Sequence, residues 1–203
     1  MQIYSIGIGV LGIVTLGNVK GANLLLNSGF EAELGGGAQM AVGNWQTFSG
    51  GAASATRQAL LPATGDFHLG LQLFSGDSYA GVFQGVEIMG GEVLNFSGAH
   101  FGLPLTGSEV RLEYFDDAGV EIGRSQNYEP VVPLAYRRFS YDFTAPESAR
   151  TARAVYVIQS FGGRNDGSVG LDNFSLSAVP EPSSAILLGV AFLSLVGRRN
   201  RKV

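Results

Sequence analysis

Short runs in which every second residue is apolar recur through the middle of this 203-residue chain, and no stretch there sustains a 3.6-residue period. In "FSYDF" the alternation places Phe139, Tyr141 and Phe143 on one side, with Ser140 and Asp142 on the other. "VRLEYF" sets Val110, Leu112 and Tyr114 against Arg111, Glu113 and Phe115. A period of two marks a half-buried strand, because successive side chains of an extended backbone point to opposite faces. "HLGLQLF", "EVLNFSGAHFG" and "ARAVYVIQSF" have the β-branched, aromatic or alternating character of strands. Turn signals fall between the runs: "ATGD", "FSGDS", "MGGE", "DDAG", "APES" and "NDG". "DDAG" at Asp116–Gly119 and "DGS" at Asp166–Ser168 read as hairpin tips. Strands recurring about every 10 residues with glycine-rich turns predict an all-β fold, an antiparallel jelly-roll β-sandwich. The 30 glycines and the low charged content of 15% suit such a fold better than a helical one.

Charge narrows the partners. The formal net charge is −4, and the only lysines are Lys20 and Lys202, so the body between Asn23 and Ala178 carries scattered arginines among abundant carboxylates. An acidic body is the wrong surface for phosphate backbones, which excludes nucleic acid as a partner. With no cysteine, disulfides and thiolate metal sites are ruled out. The two histidines, His68 and His100, lack zinc-site spacing and read as packed or surface residues. No G-x-S-x-G elbow, P-loop or dinucleotide fingerprint occurs. Glu109 and Glu113 invite a glycosidase reading, but four residues along one strand separate them by about 13 Å, beyond the ~5 to 9.5 Å that glycoside hydrolysis uses. The expectation is a protein with no catalytic residues; a polysaccharide hydrolase with an unrecognised site is the remaining enzymatic alternative.

The two ends have a different character. Residues Ile3 to Leu16 are apolar and uncharged, like the hydrophobic region of a secretory signal, although the usual basic start is missing. A signal peptide over 1–22 is expected, with cleavage after Ala22. At the other end, "VPEPSS" leads into the apolar stretch Ser183–Gly197 and then "RRNRK". As a helix that stretch is about 22 Å long, short for a hydrocarbon core of ~30 Å. Its apolar side chains favour insertion by only about 2 to 5 kcal/mol. The basic stop Arg198, Arg199, Arg201 and Lys202 would stay cytoplasmic, leaving the acidic body outside. Pro180 and Pro182 keep the approach extended.

The ordered combination of Pro180-Glu181-Pro182, short apolar segment and Arg-rich end resembles the PEP-CTERM sorting signal of Gram-negative bacteria. The resemblance implies export through the inner membrane and transient anchoring by a short C-terminal transmembrane helix. It also implies handling by an exosortase that recognises Pro180, Glu181 and Pro182, with delivery to the cell surface or extracellular matrix. The chain thus divides into a signal (1–22), a sandwich (23–178) and a sorting segment (179–203).

Within the sandwich, "NLLLNSGFE", "NW", "YAGVFQGVEIMGGEVLNFSGAHFG", "EYFDDAGVEIG", "YRRFSYDFTAP" and "VGLDNFSL" follow one another in an order that resembles the galactose-binding-like jelly rolls of carbohydrate-binding modules. The resemblance implies first and last strands side by side and a structural calcium where they meet, with Glu31 and Asp172 at the positions that supply carboxylates. It also implies glycan or exopolysaccharide binding. A sugar site wants flat aromatic faces beside planar polar groups; Tyr128, Trp45 and Tyr136 are the candidate platforms, Tyr128 foremost in its proline-containing loop, and Arg124 is the candidate polar partner. Tyr79, Arg57, Gln126 and Asn127 are eligible too. Trp45 has a competing reading as a core filler. A purely structural surface or matrix protein with no sugar pocket stays open as the alternative.

Overall fold

Alternation becomes architecture once each strand finds its neighbours. A computed structural model describes residues 21–32, 45–103, 107–160 and 167–180. Among the described residues there are ten strands: β1 (Gln46–Gly50), β2 (Ala53–Gln58), β3 (His68–Leu73), β4 (Tyr79–Glu87), β5 (Val93–Gly102), β6 (Gly107–Phe115), β7 (Glu121–Arg124), β8 (Arg137–Thr144), β9 (Thr151–Gln159) and β10 (Gly167–Ala178). They form two five-stranded sheets, β1-β4-β9-β6-β7 and β2-β3-β10-β5-β8. Every pairing is antiparallel. Only β2–β3 and β6–β7 join strands adjacent in sequence; the other pairings bring together distant segments, as in a jelly roll. The predicted sandwich is therefore observed. The signal segment before Gly21, and the sorting segment beyond an exposed Pro180, lie outside the described residues.

Inward-facing residues of both sheets make one core, including Leu69, Leu71, Val82, Leu94, Val110, Leu112, Tyr156, Ile158 and Leu171. Phe174 is its hub: Phe30, Trp45, Phe96, Phe139 and Tyr156 lie with ring centroids 5.4 to 6.0 Å from it. The pairs with Phe30, Trp45, Phe96 and Phe139 are edge-to-face, a geometry that adds about 0.5–1.5 kcal/mol each beyond area burial. Strict alternation would put Leu171 and Phe174 on opposite faces. A β-bulge between Asp172 and Ser175 re-phases the strand, with Asn173 at φ 53°. An extra residue in one strand does this, and asparagine tolerates the left-handed region better than a branched residue. Both Leu171 and Phe174 then reach the core while Asp172 keeps its outward direction. The Phe174 and Phe139 rings occupy the space a side chain on residue 98 would need, so that position is glycine.

The N-terminal stretch runs beside β10. Leu24 N–H donates to Leu176 O (2.8 Å), Asn23 Nδ2 to Phe174 O (3.1 Å), and Leu176 N–H to Asn23 Oδ1 (2.9 Å). At Asp116–Gly119 the expected tip is found: Asp116 Oδ1 accepts from the N–H groups of Ala118 and Val120, and Gly119 takes φ 74°. His100 lies inside the sandwich with Nδ1 2.8 Å from the Tyr156 hydroxyl. Burial lowers its pKa from the ordinary 6.5 to about 4.

Candidate functional site

The outer face of sheet β1-β4-β9-β6-β7 has chemistry that its strands acquire only by pairing. Register places Phe48, Gly81, Val157 and Glu109 in one row across β1, β4, β9 and β6. The next row holds Gln46, Phe83, Val155 and Arg111, and the one after it Gly85, Arg153, Glu113 and Arg124. At the other side Tyr79 stands beside Gln159. Five strands spaced ~4.8 Å make a face about 19 Å wide. Val155 and Val157 point outward, away from the core cluster, yet are 1% and 5% exposed. Larger neighbours therefore cover them, so this face, which we call the trough, presents those neighbours to solvent over a buried apolar layer.

One side of the trough is aromatic. Phe48 lies 6.3 Å from Tyr79 and 6.1 Å from Phe83 between ring centroids, and Gly81 leaves room for the Phe48 ring to lie over the backbone. Tyr79 is exposed. The other side is a charge network around two nearly buried carboxylates. Glu113 Oε1 accepts from Arg111 Nε (3.1 Å) and Nη2 (3.0 Å), and its Oε2 lies 3.3 Å from Arg153 Nη1. Arg124 Nη1 is 3.7 Å from Glu113 and also pairs with Glu121. Glu109 accepts from Arg111 Nη1 (3.2 Å), from Asn127 Nδ2 (3.0 Å) and from Gln159 Nε2. The Arg153 guanidinium carbon sits 4.4 Å from the Phe83 ring centre and 4.5 Å from that of Phe115, joining the two halves through cation–π contacts. Arg111 therefore holds Glu109 and Glu113 apart on either side of itself. The result is a set of fixed planar donors and acceptors beside aromatic faces, suited to hydroxyl-rich ligands.

Among the residues singled out in the sequence, Arg124, Tyr79 and Asn127 belong to this face, whereas the three candidate platforms do not. Trp45 is fully buried, ring-packed against Phe30 and Phe174, with Nε1 donating to Asn27 O. It fills the core and offers no face to a sugar. Tyr128 bridges to Val110 through paired backbone hydrogen bonds, and its ring stacks on Tyr141 at 4.2 Å and 8°. That ring closes the seam between the sheets instead of standing free in a loop. Tyr136 is half-buried on the opposite sheet, 4.4 Å from Phe101. Sequence reading missed Phe48, Phe83, Phe115, Arg111 and Arg153 as site residues. The available signal was the pair of arginines inside strongly apolar strands, Arg111 in "VRLEYF" and Arg153 in "ARAVYV".

Glu31 and Asp172 meet where the N-terminal stretch passes β10. Asp172 is fully buried; its Oδ2 accepts from Ala63 N–H (2.8 Å) and Thr64 N–H (3.0 Å), its Oδ1 from Asn173 N–H (2.7 Å). Glu31 accepts from Asp66 N–H (3.2 Å) and Phe67 N–H (3.3 Å). Both carboxylates thus anchor the loop between β2 and β3. Burial raises the Asp172 pKa, its backbone hydrogen bonds oppose that, and the Glu31 charge adds to the rise. Gly29 leaves a cradle between them: a Cβ there would lie 3.6 Å from Asp172 Oδ1 and 4.0 Å from Glu31 Oε1. Two converging carboxylates around an open point fit the hard-oxygen preference of calcium. Among the described residues no cluster of three or more His, Asp or Glu is placed to hold a metal, so further ligands would have to be backbone carbonyls or water.

The PEP-CTERM protein-sorting motif matches residues 178–202. No curated protein matches the chain. Among solved structures, the enzymatically active domain of bacteriophage CBA120 tailspike protein 4 superposes with a TM-score of 0.62 at 15% identity, over 77% of this chain and 21% of that one. This chain thus spans about a fifth of the tailspike chain. The CBM22-1 xylan-binding domain of Paenibacillus barcinonensis Xyn10C gives 0.55 at 18% identity, over 79% and 97%. TmCBM61 in complex with β-1,4-galactotriose gives 0.51 at 18%, over 76% and 97%. At these identities the likeness is one of fold alone: the described body is a two-sheet, all-β sandwich, and a PEP-CTERM sorting motif follows it at residues 178–202.

Proposed function

We propose that this is an exported, non-catalytic glycan-binding protein that an exosortase delivers to the cell surface or extracellular matrix. The export machinery and then the exosortase are its processing partners, with Pro180, Glu181 and Pro182 as the recognised element and Arg198, Arg199, Arg201 and Lys202 as the basic stop. The sorting motif supports this half of the reading. Mass spectrometry of envelope protein is expected to find chains lacking Arg198–Val203; recovery of the surface-located protein with that tail intact would overturn it.

The binding half rests on the trough. Its aromatic side, Tyr79 and Phe48, offers apolar faces to sugar rings, and Arg124 and Arg153, held in place by Glu113, offer hydrogen-bond donors to hydroxyls. The ligand class is a polysaccharide, exopolysaccharide included, lying across the strands. Pull-down of the full chain on insoluble polysaccharides tests it: retention that Tyr79→Ala removes supports binding, whereas no retention on any polysaccharide favours a purely structural matrix role. Calcium belongs to the proposal as a structural clip between Glu31 and Asp172, away from the trough. Calcium at 100 times its dissociation constant would stabilise the fold by about 2.7 kcal/mol. A melting temperature unchanged between calcium and EDTA would remove calcium from the account.

A further inference from the structure

The opposite outer face, on sheet β2-β3-β10-β5-β8, contains a pocket of about 70 Å³. Its floor is made by Gly70 and Gly170, paired across β3 and β10. Neither glycine is incidental: the Gln58 amide lies over Gly70 and the Phe101 ring over Gly170, in the space a Cβ would take. The walls add His68, Gln72 and Ser168.

Two features set this pocket apart from an ordinary surface dimple. His68 is 2% exposed, and its Nδ1 has no hydrogen-bond partner; the Tyr136 hydroxyl, on the ring packed against Phe101, has none either. Native interiors rarely leave buried polar atoms unpaired, and His68, one of the residues lining the pocket, has hydrogen-bonding capacity that the chain does not use. The lining also has a distinct chemistry. It comprises two amides, a hydroxyl, an aromatic ring and an imidazole that burial keeps toward its neutral form, with no carboxylate, lysine or arginine. Asp172 lies close enough for its charge to be felt at both His68 and Tyr136, which disfavours an anionic occupant.

We propose that this pocket is a second carbohydrate site, taking one neutral monosaccharide unit, a chain end or a side branch, on the face opposite the trough. Amides, hydroxyl and imidazole match sugar hydroxyls, and Phe101 matches the apolar face of the ring. Size sets the limit of one unit: at 10–15 Å³ per water position the pocket holds roughly five waters, well below the ~300 Å³ and more of sites for larger ligands. The inference does not depend on the trough being a glycan site. If both sites bind, they face away from each other across sheets stacked ~10 Å apart, and one domain bridges two polysaccharide chains.

Saturation-transfer NMR on the full chain, with methyl galactoside, methyl glucoside and glucuronate as probes, tests the site. The expected result is transfer to at least one neutral glycoside, with a dissociation constant on the order of 1 mM. Transfer to glucuronate should be weaker. The half-exposed Gln58→Ala should reduce affinity at least tenfold while leaving the melting temperature unchanged, and Ser168→Ala serves as a second probe should Gln58→Ala unfold. Tyr79→Ala, in the trough, should leave this binding intact. No transfer to either neutral glycoside would overturn the proposal. So would transfer that Tyr79→Ala abolishes and Gln58→Ala spares.

Discussion

The two outer faces of the sandwich are built from the same kind of strand but handle polarity in opposite ways. On sheet β1-β4-β9-β6-β7, Glu109 and Glu113 are 8% and 6% exposed, and each is held by several arginine, asparagine or glutamine donors. On sheet β2-β3-β10-β5-β8, His68, beside the paired glycines Gly70 and Gly170, and Tyr136, packed on Phe101, each keep a buried polar atom with no partner. One face fixes charged groups in place by satisfying them; the other keeps neutral groups with capacity in hand. A satisfied network rigidifies, whereas an unpaired buried atom costs stability until something pairs with it. The first arrangement suits an extended ligand read by fixed groups, the second a small occupant that supplies the missing partner.

Removing the centre of the network should break this contrast most severely. Glu113→Ala leaves Arg111 and Arg153 without their shared carboxylate, and loss of about 3 kcal/mol of unfolding free energy is expected in chemical denaturation. Polysaccharide retention should disappear with it.

Acid comes next, and its largest expected effect is at His100, between the two faces. His100, between the sheets, faces Tyr156, Phe139 and their strands, and its pKa is lowered to about 4. A histidine whose folded pKa lies below its unfolded value binds more protons when unfolded. Stability is then full above pH 6.5 and falls as pH drops toward 4, by roughly 3 kcal/mol over that window. Denaturation of the wild-type chain at pH 7 and pH 4.5 should show the drop, and His100→Leu should flatten it. An unchanged slope in the variant would assign acid sensitivity elsewhere. Asp172 works in the opposite sense, since a raised carboxylate pKa favours the fold at low pH and is lost as pH rises through it.

Smaller effects sharpen the comparison. Tyr79→Ala, at an exposed site, should weaken polysaccharide binding about tenfold and change stability by less than about 0.5 kcal/mol. On the other face, His68→Leu removes an unpaired buried nitrogen, so the fold should gain about 1 kcal/mol in denaturant titration. A loss of stability there would mean that His68 is already satisfied.

The strands were legible because alternation is a local property. β6 and β8 present the faces that "VRLEYF" and "FSYDF" announce, and the turn at Asp116–Gly119 follows from its own side chains. Meeting of the N-terminal stretch with β10 was reached through resemblance, and the contacts of Asn23 and Leu24 account for it. The trough was not legible, since Phe48, Phe83, Glu109 and Arg153 become neighbours only through the register of β1, β4, β6 and β9, which no short window contains. Tyr128 misled for a related reason. Its loop position suggested exposure, but the partner that claims its ring, Tyr141, sits on the far sheet. The bulge at Asn173 was equally hidden, because it re-phases an alternation that had looked continuous.

The most direct measurement is affinity electrophoresis of the full chain through gels containing neutral exopolysaccharide, run beside Phe48→Ala and Tyr79→Ala. The wild-type chain should be retarded, and both folded variants should be retarded much less. Equal migration of all three, with or without polysaccharide in the gel, would contradict it.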